Sequence, residues 1–254
     1  MIKKDLKRIF SLSPALTEIL FFSCPDTIIV ARTQACDFPP KAISKTVIST
    51  YPFDIEAILG QKPDLVFSEE GITTVEQLKL LEDNKIPVYM FKYRRVEDIF
   101  RAIEKTGQFC NCSKQVDVKL NELRQKFESV KEDSISDLKA LGLIWTDPIY
   151  VYGRNTLFTS QLEVIGVENA VDSIFGRPYP ELSREYFLKI NPDVIFGPSF
   201  EHLDSTLFIK FPELKRIDAY KNKHIFEIDG DILTRPSPRS IEAMILMKSY
   251  IDEI

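Results

Sequence analysis

Apolar positions along the chain follow two alternating signatures. Short β-rich runs at residues 8–12, 27–31, 64–68 and 87–91 are separated by stretches with helical spacing, the pattern of parallel α/β folding. From residue 96 to about 130 the strand signal disappears. There Val116, Leu120, Leu123, Phe127 and Val130 recur at three- and four-residue steps, which predicts a long amphipathic helix. Strand runs resume at 140–145, 192–196 and 224–228, and a helix over about 238–251 closes the chain. The pattern divides the chain into an α/β lobe over 1–110, a connecting helical stretch over 111–136 and a second α/β lobe over 137–254.

The two halves rhyme. The segment from Glu56 to Phe67 (Glu-Ala-Ile-Leu-Gly-Gln-Lys-Pro-Asp-Leu-Val-Phe) aligns without a gap, position for position, with Glu185 to Phe196 (Glu-Tyr-Phe-Leu-Lys-Ile-Asn-Pro-Asp-Val-Ile-Phe). Each copy reads as a short helix, a Pro-Asp turn and a buried strand. Each glutamate falls in a first helical turn, behind a capping candidate, Asp54 or Ser183. A weaker echo pairs Ser13-Pro14 with Ser237-Pro238 as two helix starts.

With 44% hydrophobic and 28% charged residues, the 254-residue chain has the composition of ordinary folded protein. A net charge of -5 gives no broad footprint for nucleic acid, and the basic cluster from Lys3 to Arg8 reads as a solvated N-terminus. That cluster and the apolar stretch behind it mimic a signal peptide. Ser11, Ser13, Pro14, Thr17 and Glu18 interrupt the stretch, so it reads as a strand and a helix capped by Ser13, and an exported protein would have its leader outside this sequence. Cys24, Cys36, Cys110 and Cys112 lack the spacing of a disulfide scaffold or a zinc site and read as free thiols or one disulfide.

The order of these motifs, with Cys36-Asp-Phe-Pro-Pro40, Tyr179-Pro-Glu-Leu-Ser-Arg-Glu185 and Arg235-Pro-Ser-Pro-Arg239, resembles class III periplasmic solute-binding proteins of ABC importers, the cobalamin, haem and ferric-siderophore type. The resemblance is strongest to the cobalamin binders and spans nearly the whole chain. It implies two Rossmann-like α/β lobes joined by one long helix, with the ligand cleft between the lobes. The implied ligand is a corrinoid or an iron chelate, the implied partner an importer permease, the implied state a monomer and the implied location periplasmic. Glu56 and Glu185 match the positions that dock onto permease arginines, although the helix dipole alone also favours a carboxylate there. Tyr51 and Tyr179 match aromatic positions that face the ligand. Glu69 stands where cobalamin binders can carry another aromatic, and Arg177, Asp231 and Arg235 are polar candidates for the same cleft.

Other functions are less well served. Zn or Mn capture has only His202 and His224 to draw on. Enzymatic readings lack a Gly-rich phosphate loop, a G-x-S-x-G elbow or an H-E-x-x-H pair, which leaves His202 with Asp204 as a weak local pair. A cytoplasmic corrinoid- or tetrapyrrole-binding protein that works without a transporter is the remaining alternative.

Overall fold

The computed structural model describes residues 6–171, 175–203 and 205–254; Lys3, Lys4 and Asp204 lie outside them. The chain separates into two compact units. Unit 1 comprises Met1–Tyr93, Glu97–Arg124 and Pro236–Pro238, and unit 2 comprises Arg94–Val96, Gln125–Arg235 and Arg239–Ile254.

In chain order the first half holds β1 (Ile9–Ser11), α1 (Pro14–Ser23), β2 (Ile29–Thr33), β3 (Thr46–Ile48), α2 (Ile55–Gly60), β4 (Leu65–Glu69), α3 (Val75–Asp83), β5 (Val88–Phe91) and α4 (Val96–Phe109). Then comes α5 (Ser113–Glu128). The second half holds β6 (Lys139–Thr146), β7 (Ile149–Val151), α6 (Leu157–Val164), β8 (Glu168–Asn169), α7 (Arg184–Ile190), β9 (Val194–Pro198), α8 (Leu207–Lys210), α9 (Asp218–Lys221), β10 (Ile225–Ile228), α10 (Gly230–Thr234) and α11 (Ser240–Asp252). Both units are α/β, as the alternating pattern predicts. Among the described residues no helix is long and apolar enough to cross a membrane.

The unit 1 sheet has the order β3-β2-β1-β4-β5, with each of these pairings parallel. In unit 2 the order is β10-β9-β6-β7, with β8 beside β6; the β6–β7 pairing is antiparallel and the others are parallel. All five residues of β4 and of β9 are buried, which accounts for their unbroken apolar runs. Phe10, Val66 and Ile58 lie in the unit 1 core, and Leu141, Ile195 and Phe187 in that of unit 2.

The internal repeat is structural. Asp54 caps α2 by accepting from the Ala57 amide, and Ser183 caps α7 by accepting from Tyr186. Lys62 and Asn191, which hold the same place in the two copies, both adopt left-handed backbone, with φ of 47° and 41°. That conformation ends each short helix and turns the chain into the Pro-Asp pair. The Asp64 carboxylate then accepts from the Lys7 and Arg8 amides at 2.9 and 3.0 Å, and its own amide donates to the Arg8 carbonyl at 2.7 Å. Asp193 repeats the device on Lys139, accepting at 2.9 Å and donating at 2.9 Å. These clamps lie at the mouths of the β1–β4 and β6–β9 ladders, where Ile9 faces Leu65 and Ala140 faces Val194.

Three expectations need correction. The connecting helix expected over 111–136 is α5, which follows a break at Asn111 (φ of 53°) after α4 and ends at Glu128, short of residue 136. The apolar stripe is nonetheless buried, with Val116, Leu120, Leu123, Phe127 and Val130 each under 9% exposed. Second, Asp26–Ile28 is a 3-10 turn and the strand starts two residues later than expected, because the Pro25 carbonyl accepts from the Ile28 amide. Third, Ser13 caps α1 with Pro14 in its first turn, but α11 begins at Ser240 behind Arg239, so Ser237-Pro238 does not open it. Of the cysteines, Cys24 and Cys110 form a disulfide linking the ends of α1 and α4, while Cys36 and Cys112 are free.

The aspartate clamps make a stability prediction. Asp64→Ala, which strips the acceptor from two amides, should cost about 1–2 kcal/mol and Asp193→Ala, which strips one, about half as much. Urea denaturation of both variants checks it; equal and negligible losses would show that the clamps do not hold the strand ends.

Candidate functional site

Because β1 to β5 run parallel, their carboxyl ends share one edge of the unit 1 sheet, and the strand order reverses between β1 and β4. In open α/β sheets ligands bind beyond the carboxyl edge at such a switch point. Ser13 and Glu69 occupy it. The Ser13 hydroxyl donates to Glu69 Oε1 at 2.7 Å and accepts from the Leu16 amide at 3.3 Å, so one oxygen serves both the carboxyl group and the helix cap. Glu69, the last residue of β4, is 8% exposed, and its Oε2 is buried without a hydrogen-bond partner among the described residues. Burial pushes its pKa from 4.5 up to about 7, against the opposing pull of the Ser13 hydrogen bond. Tyr93, just past β5, is also buried; burial and then the charge of Glu69 hold its phenol well above the usual range.

Tyr51 is 97% exposed. It rides a tight turn beyond β3 in which Ser49 Oγ donates to the Pro52 carbonyl at 2.8 Å and the Asp54 amide to the Ser49 carbonyl at 3.1 Å. Glu70 is turned outward, with Lys92 2.8 Å from its carboxylate.

The carboxyl edge of unit 2 carries a similar pair. Thr146, ending β6, donates to Glu201 Oε2 at 2.7 Å, and both side chains are buried. Beyond β10, α10 carries Asp231, which bridges Arg235 at 2.7 Å and Arg239 at 4.0 Å. Two of the sequence candidates, Asp231 and Arg235, thus meet each other directly.

Arg177 and Tyr179 lie on an exposed loop, but Tyr179 is not beyond a strand end. The chain there runs alongside β7, with Gly153 donating to the Pro178 carbonyl and Val151 to that of Pro180. A Cβ at Gly153 would stand 2.8 Å from the Arg177 carbonyl oxygen, so the close approach requires glycine. The Tyr179 ring meets Tyr152 edge-on at 6.1 Å and is 53% exposed.

Glu56 and Glu185 are exposed, each in the first turn of its helix. Hydrogen bonds from its own backbone and from Ser183 hold the Glu185 carboxylate below the usual range. Of the histidines, His202 is exposed, and His224 Nδ1 lies 3.2 Å from the Asp193 carbonyl oxygen.

Sequence reasoning missed Thr146 and Glu201 and saw Ser13 only as a cap. Their partners lie 55 or 56 residues away, beyond the reach of any local signal. Only strand pairing brings them together.

Comparison with known proteins fits this geometry. The family model described as "Periplasmic binding protein" matches residues 9–232, and the chain belongs to that family, in its class III. A vitamin B12-binding protein of Vibrio parahaemolyticus is 22% identical over 257 residues, covering 100% of this chain and 92% of its own. An uncharacterized ABC transporter substrate-binding lipoprotein of Bacillus subtilis is 26% identical over 254 residues, covering 96% and 79%. Among solved structures, a periplasmic haem-binding protein in complex with two haems superposes with a TM-score of 0.85 at 18% identity over 97% of this chain and 98% of that one, which is a likeness of fold.

Glu69 makes stability depend on pH. Its folded pKa lies above the unfolded value, so the folded state binds the extra proton between pH 4.5 and about 7, and stability falls as pH rises through that window. The loss should reach roughly 3 kcal/mol. Denaturation at successive pH values should show the decline in the wild type and a flatter profile in Glu69→Gln; parallel profiles would assign the decline to other groups.

Proposed function

We propose that this protein is the substrate-binding component of an ABC importer, capturing a corrinoid or an iron chelate such as a ferric siderophore or haem. The observation that carries the reading is the repeated frame of Glu56 and Glu185. In a chain of this family, two exposed carboxylates occupy the same turn of the same short helix, once in each unit. Helix capping explains one such glutamate; a permease with two matching surfaces explains the pair. In this reading α5 is the connecting span, Glu56 and Glu185 dock on the permease, and the protein acts as a monomer by binding rather than by catalysis.

Tyr51 and Tyr179 offer flat apolar faces to a bulky chelate, because aromatic rings supply contact area at small entropic cost. Arg177, Asp231 and Arg235 supply polar contacts, and Glu69 supports the edge from within. The Cys24–Cys110 disulfide suits an oxidising, extracytoplasmic compartment.

Absorbance titrations with cyanocobalamin, haemin and a ferric siderophore test the ligand class, and binding to none of them would remove this reading. Tyr51→Ala with Tyr179→Ala should weaken the bound ligand by about 1–3 kcal/mol. Glu56→Ala with Glu185→Ala should leave that affinity intact and slow uptake in a transport assay. Normal uptake by the double variant would favour a binding protein that works without a transporter.

A further inference from the structure

Among the described residues, each sheet carries a buried hydroxyl–carboxylate pair at the carboxyl edge of its two central strands. Ser13, after β1, donates to Glu69 at the end of β4, and Thr146, at the end of β6, donates to Glu201 after β9, each at 2.7 Å. The strands correspond. The β1–β4 pairing begins Ile9 with Leu65, the β6–β9 pairing begins Ala140 with Val194, and Leu65 and Val194 hold the same place in the two copies of the repeat.

The pairs themselves fall out of that register. Continued past the repeat, it sets Glu69 against Pro198, the last residue of β9, whereas the carboxylate of unit 2 comes later, at Glu201. The hydroxyl also moves, from a position beyond the end of β1 to the last residue of β6. Two different local arrangements thus place a carboxylate at the carboxyl edge of each sheet.

Stability alone is a poor reason for this. Burying a carboxylate costs more than burying an apolar side chain of similar size, and Glu69 leaves one oxygen unpartnered among the described residues. What the pairs do is join loops. Thr146 follows the half-exposed Trp145, and Glu201 follows Phe200, which is 59% exposed. Phe200 packs so closely over Gly230 that a Cβ there would lie 2.4 Å from its ring, and Gly230 opens α10, the helix of Asp231 and Arg235. In unit 1, Glu69 accepts from the Ile72 amide through its carbonyl, shaping the loop beyond β4.

We propose that Ser13–Glu69 and Thr146–Glu201 are positioning residues for ligand binding, each clasping together the two central loops at its sheet's carboxyl edge. The proposal rests on the binding-protein reading for its ligand and on the fold alone for its clasp.

The experiment compares Glu69→Ala and Glu201→Ala with Glu69→Gln and Glu201→Gln, which keep an oxygen for the hydroxyl. Hydrogen exchange is read at residues 12–17 and 69–73 for unit 1 and at 145–149 and 199–203 for unit 2, and affinity for cyanocobalamin and haemin is titrated alongside. Each Ala variant should exchange about tenfold faster in its own unit's loops, with β2 or β10 unchanged, and bind the probe about tenfold more weakly. The Gln variants should recover most of both losses. Wild-type exchange in the Ala variants, undiminished affinity for a probe that the wild type binds, or Gln variants as impaired as Ala would each overturn the proposal. If the wild type binds neither probe, the exchange result alone decides the clasp and the failure belongs to the ligand. Should an Ala variant not fold, Thr146→Val and Ser13→Ala remove the hydroxyl instead and face the same criteria.

Discussion

Both sheets depend on one electrostatic device, the carboxylate of an aspartate that follows a proline. Asp64 accepts from the Lys7 and Arg8 amides just before β1, and Asp193 from the Lys139 amide that opens β6, while their own amides donate back across the same gap. A strand buried on both faces has no polar face to set its register, so a slip of one residue would meet little resistance from side-chain pattern alone. An ionised acceptor at the ladder's mouth supplies that resistance. With β4 and β9 held against β1 and β6, the carboxyl edges, and all that projects from them, fall into place.

The same device explains why the repeat was legible in sequence. A left-handed residue, a proline and an aspartate must occur in order for the chain to leave a short helix, turn and clamp, and that order survives in the letters at 62–64 and 191–193. Helix caps at Ser13, Asp54 and Ser183 were equally legible, since capping acts over three residues. The strands β3, β7 and β8 were not foreseen: at three, three and two residues they are too short for periodicity to register and owe their state to their neighbours. The boundary read at 110/111 falls at the break between α4 and α5. Both flanks keep helical spacing, and it is the positive φ of Asn111 that divides them.

At the carboxyl edges, residue type was a good guide to which side chains are polar or aromatic and a poor one to how they are used. Tyr51 and Tyr179 stand out toward solvent, yet Glu69 and Glu70, adjacent in sequence, part company, one turned into the sheet and the other paired with Lys92 on the surface. Alternation along a strand predicts that two neighbours face opposite ways; which one is enclosed depends on what covers each face. Asp231 and Arg235, nominated separately, are partners one helical turn apart.

The sequence by itself determined the α/β class, the two-fold repetition, the helix starts and the apolar stripe of α5, because each is written in spacings of a few residues where local hydrogen bonding and periodic burial act. Tertiary structure alone decided the clasping of Ser13 to Glu69 and Thr146 to Glu201, the disulfide partner of Cys24 and the neutral-range titration of Glu69. All of these arise between groups far apart along the chain, and desolvation has no local code. A carboxylate's environment is set by the strands that close over it, and those strands are chosen by the whole sheet.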